Sequence, residues 1–132
     1  MDMKQQRFGI EIELTGIARK RGAEIVAAYF GTQSYYAGTY YDIYAALDPQ
    51  GREWTFMSDS SIKPERKEGN NRVGASDSFQ TEMVSPICRY EDIETIQELV
   101  RKLREAGALA HSSCGIHVHI DASPFDARTL RN

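Results

Sequence analysis

The chain of 132 residues reads as an α+β domain on three observations. Strand-like runs with period-two alternation stand near both ends of the chain, a strong turn signal separates two β-favouring runs in its middle, and two helical stretches are interspersed among them. The length suits one domain, 1–132, with a core of its own.

The first strand is expected from Phe8 to about Thr15, where Glu11 and Glu13 share one face and Ile10, Ile12 and Leu14 the other. A helix follows from about Ala23 to Phe30, stopped by Gly31. The tyrosine-rich stretch Gly31 to Asp42 is expected to be a loop or an extended approach to the next strand. Asp42–Leu47 and Arg52–Ser58 flank Asp48-Pro49-Gln50-Gly51, whose proline and glycine suit the second and fourth positions of a turn, so a hairpin is expected. In its second arm Trp54 and Phe56 face one way, and Glu53, Thr55, Met57 and Asp59 the other. Residues 63–78 are charged, rich in turn formers and poor in apolar anchors, and are expected to form a mobile loop. Phe79–Ile87 reads as a strand with Glu82 on its polar side and Pro86 limiting its pairing. Ile93, Ile96, Leu99, Val100 and Leu103 then make the stripe of an amphipathic helix from about Glu91 to Ala106, with acids in its first turn, bases in its last and Gly107 as its stop.

The last strand, Gly115–Ile120, places His117 and His119 on one face. Beyond it Ser123 and Pro124 suit the cap and first position of another helix. Because the chain stops about two turns later, with Leu130 in want of a partner, it is expected to be the N-terminal part of a longer, truncated domain.

A net charge of −3 with interspersed signs does not indicate nucleic acid as a partner. Apolar runs fall far short of a spanning helix, the start has no signal-peptide core, and Cys88 and Cys114 form no disulfide framework, so a cytoplasmic chain with reduced thiols is expected.

Paired carboxylates in an apolar strand are costly to bury without compensation, and a divalent cation removes both the desolvation cost and their mutual repulsion. The alternative for Glu11 and Glu13 is a solvated face or pairing with a neighbouring cation. The two histidines at alternate positions point to a ligand or phosphate contact, whereas His111 reads as a surface or capping residue. Several carboxylates with one or two imidazoles suit magnesium or manganese better than zinc. Cys114 has the opposite parity to the histidines and is not counted as a ligand. No glycine-rich phosphate loop of either common type is present. Arg19-Lys20-Arg21 reads as a solvated basic cluster, and the tyrosines from Tyr35 to Tyr44 as packing residues.

The ordered set Phe8-Gly9-Ile10-Glu11-Ile12-Glu13-Leu14, Trp54, Asp59-Ser60-Ser61-Ile62, Glu82-Met83-Val84-Ser85-Pro86, and Cys114-Gly115-Ile116-His117-Val118-His119-Ile120 resembles the amidoligase family, carboxylate-amine ligases related to glutamine synthetase and glutamate-cysteine ligase. The resemblance implies a curved, largely antiparallel sheet with helices packed on one face, like the N-terminal half of a glutamine synthetase-type catalytic domain. Its other face would hold magnesium (or manganese) ions and ATP. It further implies that Glu11, Glu13, Glu82 and His117 are metal ligands, that His119 contacts a nucleotide phosphate, and that Asp59 touches metal or the amine substrate. The implied reaction activates a small-molecule or peptide carboxylate as an acyl phosphate, which an amine attacks. No residue is assigned as acid, base or nucleophile. The family's later strands carry another acidic ligand and phosphate-holding arginines, which lie beyond this chain, so it is expected to show no turnover alone.

Two other readings stand beside the ligase. One is a metal-dependent hydrolase using the same Glu/His face, and the other is a non-catalytic metal- or nucleotide-binding module. An exposed sheet edge also makes a homo-oligomer an expectation.

Overall fold

The structure, a computed structural model, describes residues 5–38, 40–110 and 112–120. The expected helix at Ser123-Pro124 and the role of His111 lie outside the described residues. The main sheet has six strands, all neighbours antiparallel, in the order β2 (Ser34–Gly38), β3 (Ile43–Leu47), β4 (Glu53–Met57), β7 (Thr81–Val84), β1 (Phe8–Leu14) and β8 (Ile116–Ile120). A separate two-stranded ribbon, β5 (Glu65–Glu68) and β6 (Asn71–Gly74), stands in the 63–78 segment. With helices α1 (Arg19–Phe30) and α2 (Ile93–Glu105), the architecture is α+β, as the sequence predicts.

Both helices pack on one face of the sheet. Their Ala23, Val26, Ala27, Ile96, Leu99 and Leu103 join Ile12, Leu14, Trp54, Phe56 and Met83 in a single core. The parity expected of each strand therefore holds: Ile12 and Leu14 of β1 and Trp54 and Phe56 of β4 point to the helices, which leaves Glu11, Glu13 and Thr55 on the opposite face. Gly22 lets α1 come close, since a Cβ there would sit 2.7 Å from the Phe56 ring. Gly16, at φ +81°, meets the turn after α2, where its absent Cβ would lie 2.4 Å from the Gly107 carbonyl oxygen.

Four expectations change. The tyrosine-rich stretch supplies an edge strand, β2, in which Tyr36 packs on Tyr44 of β3 at 5.0 Å between ring centres. The 63–78 segment carries the β5–β6 ribbon instead of lacking structure. It is pinned where buried Thr15 Oγ1 accepts from Glu65 N–H at 2.7 Å and donates to Glu65 O at 3.0 Å. The helix read from Ala23 begins four residues earlier, at Arg19, so Arg19 is not part of a solvated cluster. Buried, it donates to Asp42 Oδ2 at 2.9 and 3.1 Å and to the carbonyls of Asp77 at 2.9 Å and Gln80 at 2.7 Å, clamping two connections onto the start of α1. Lastly, Asp77–Phe79 forms a 3-10 turn, which shortens the strand read from Phe79 to Thr81–Val84.

Candidate functional site

Strand order turns separate sequence motifs into one surface. Because β1 lies between β7 and β8, Glu13 is directly opposite Glu82 on one side, and Glu11 directly opposite His117 on the other. Directly paired residues of antiparallel neighbours share a sheet face. Glu11, Glu13, Glu82, His117 and His119 therefore stand together on the face away from the helices, across three adjacent strands. The row through Glu11 continues through Val84 and Thr55 to Ala45 and Tyr35, crossing all six strands.

Glu11 is the hub between strands. Its Oε1 lies 3.7 Å from His117 Nδ1 and its Oε2 lies 3.4 Å from His119 Nε2. Glu13, only 8% exposed, accepts the Gly115 N–H at Oε1, 2.7 Å away. Asp59 follows β4 and reaches the same place. Its Oδ1 accepts from both the backbone N–H and the hydroxyl of Ser61, at 3.0 and 2.7 Å, a local turn that fixes the carboxylate. Sequence reasoning had placed Asp59 on this face by parity alone, and Ser61 as its holder is an addition of the structure.

The electrostatics are those of acids meeting acids. A hydrogen bond to Asp59 and then burial push Glu13 up, against the opposing pull of the Gly115 N–H and of His117. Asp59 moves down, chiefly because Glu13 donates to it and then because Ser61 does. Glu82 is pushed up to about 7, first by desolvation and then by the charges of Glu11 and Asp59, a hydrogen bond to Glu11 and the charge of Glu13.

The donor set of carboxylates with imidazole suits a hard divalent cation, and the acid pairs Glu13–Asp59 and Glu82–Glu11 are where a cation would relieve repulsion. Among the described residues, no three His, Cys, Asp or Glu side chains are drawn together as a preformed metal cluster. Cys114 lines a cavity of about 620 Å³ with Ile12, Leu14, Val100 and Ile116, on the helix side of the sheet, in keeping with its parity. Both cysteines are free. Among the described residues no helix is long and apolar enough to cross a membrane.

A second acidic group was missed by sequence reasoning. Asp48 is 3% exposed and accepts from the Trp54 indole N–H at 3.0 Å, Arg52 Nε at 2.8 Å and the backbone N–H groups of Gln50 and Arg52. The other side of the same guanidinium grips Asp92 at 2.9 and 3.0 Å. The only signal was the turn-forming Asp48, which marked the hairpin but not its partner 44 positions further along.

The family model described as "Putative amidoligase enzyme" matches residues 4–132. No curated protein and no solved structure matches the chain.

Proposed function

From the premise that the chain belongs to the amidoligase family, we propose that it acts in ATP- and magnesium-dependent joining of a carboxylate to an amine. The observation that supports this most is the strand order β7-β1-β8, which assembles Glu82, Glu11, Glu13, His117 and His119 on the face that the helices leave uncovered. The sheet would correspond to the N-terminal half of a glutamine synthetase-type catalytic domain.

In this reading Glu11, Glu13, Glu82 and His117 hold magnesium or manganese, His119 contacts a nucleotide phosphate, and Asp59 touches metal or the amine. When bound, the metal and ATP supply phosphate charge neutralisation and the means of activating the carboxylate as an acyl phosphate. Glu82, raised to about 7, would release its carboxyl proton readily at neutral pH and so be able to serve as a ligand. Rigid strands hold Glu11 and Glu13 two positions apart on one face, so the charge is preorganised at little reorganisation cost. The substrates are a small-molecule or peptide carboxylate and an amine, in a reducing cytoplasmic setting that suits free Cys88 and Cys114.

Thermal unfolding tests this reading. Magnesium with ATP should raise the melting temperature beyond magnesium alone, and Glu11→Gln should remove the increment. Equal shifts with and without nucleotide would favour metal-dependent hydrolysis, and no shift with either would sink both.

A further inference from the structure

Two glycines stand on the open face, and neither is demanded by its backbone. Gly9 and Gly115 both lie outside the left-handed φ region, where any residue can be accommodated. Their surroundings differ. A Cβ at Gly9, opposite His119, would meet nothing within 4 Å, whereas one at Gly115 would lie 3.3 Å from Glu13 Oε1 and 3.5 Å from His117 Nε2. Gly115 is also bound twice to Glu13: its carbonyl accepts the Glu13 N–H at 2.9 Å, and its own N–H donates to Glu13 Oε1 at 2.7 Å. The imidazole of His117 thus has Glu11 at Nδ1, 3.7 Å away, and the Gly115–Glu13 junction at Nε2.

We infer that Gly115 is a positioning residue of the site: its missing side chain lets the Glu13 carboxylate seat on the Gly115 N–H while facing His117, and so sets the separation of carboxylate and imidazole. An alanine Cβ there would stand close to both, and the Glu13 carboxylate, being a side-chain end, would move by a few tenths of an ångström. The consequence for metal binding rests on the ligase reading, but the geometric role does not. Displaced supports of metal ligands typically weaken binding by about 10- to 100-fold.

The test uses the full chain with Gly115→Ala, Gly115→Val and, as the matched control, Gly9→Ala. Free Mn2+ is titrated by electron paramagnetic resonance, and the ring signals of His117 and His119 are followed by NMR without metal. Gly115→Ala should weaken Mn2+ binding about tenfold or more, with Gly115→Val weaker still and Gly9→Ala within about twofold of the parent. In the metal-free Gly115→Ala protein the His117 signal should move and the His119 signal should stay. Metal-free melting temperatures identify a variant that fails to fold, and if the valine protein does so the alanine protein carries the test. Parent-like Mn2+ affinity with an unmoved His117 signal in Gly115→Ala overturns the inference. If the parent itself binds no Mn2+, the ligase reading fails, and the His117 signal alone decides for or against the role of Gly115.

Discussion

Two buried acids of this small domain, Asp48 and Glu13, are treated in opposite ways. Asp48, 3% exposed, is surrounded by donors, whereas Glu13, 8% exposed, faces another acid, Asp59. Burial pushes Asp48 up, but the Trp54 indole, the Arg52 backbone N–H and the Arg52 guanidinium outweigh it and hold it below the usual carboxylate range. Asp92 is likewise held down, first by its hydrogen bonds from Arg52. On the open face Glu13 and Glu82 move up instead. The first group is a strut that ties the β3–β4 turn to the start of α2. The second is a set of carboxylates that act on one another, an arrangement whose repulsion a cation would relieve.

Removing the cation of the strut should have the largest effect. Arg52→Ala leaves Asp48 and Asp92 buried without their counter-charge and should cost about 3–5 kcal/mol in urea unfolding. A loss below about 1 kcal/mol would mean that Asp48 and Asp92 are solvated, and the contrast would collapse.

The corresponding change on the open face should have the opposite sense. In metal-free protein Glu82→Gln removes a charge that its neighbours repel, so stability at pH 8 should hold or rise, while the response to magnesium is lost. A fall comparable to that of Arg52→Ala would make Glu82 part of a strut as well.

The pH dependences sharpen the same point. Glu82 is raised from 4.5 to about 7 in the folded state, so the folded state holds the proton more tightly. Its contribution is fully present below 4.5 and is lost as pH rises through about 7. Asp48 and Asp92 are lowered from 3.8, so their contribution is present above that value and lost as pH falls below it. Metal-free stability should therefore decline on both sides of an optimum near pH 4–5, with Glu82→Gln flattening only the neutral limb. Magnesium should correspondingly raise the melting temperature more at pH 8 than at pH 5.5, as a calorimetric pH series would show.

The smallest effect is expected at Ser61. Ser61→Ala removes one of two donors to Asp59 Oδ1 and should cost under about 1 kcal/mol, since the Ser61 N–H remains. A larger loss would place Asp59 with the struts.

The legible parts of the molecule are those encoded locally. The hairpin around Asp48-Pro49-Gln50-Gly51, the stripe of α2 and the parity of Glu11 with Glu13 and of His117 with His119 all follow from turn chemistry and side-chain period. Other parts were not legible because their cause is distant. Tyr36 joins a strand because β3 offers it an edge and Tyr44 a partner. Arg19 reads as one of three surface bases until Asp42, Asp77 and Gln80 close around it. The apolar side of β8 shows the converse limit: Ile116, Val118 and Ile120 alternate as a buried face would, yet they are exposed at the sheet edge.

By itself the sequence determined which side of each strand every candidate residue occupies, because alternation has a period of two and needs no knowledge of neighbours. Only the tertiary structure decided that β7 and β8 flank β1, and hence that Glu82 faces Glu13 while His117 faces Glu11. Strand order is set by long-range hydrogen bonding and by which faces the two helices bury, and neither is written in any local run of residues.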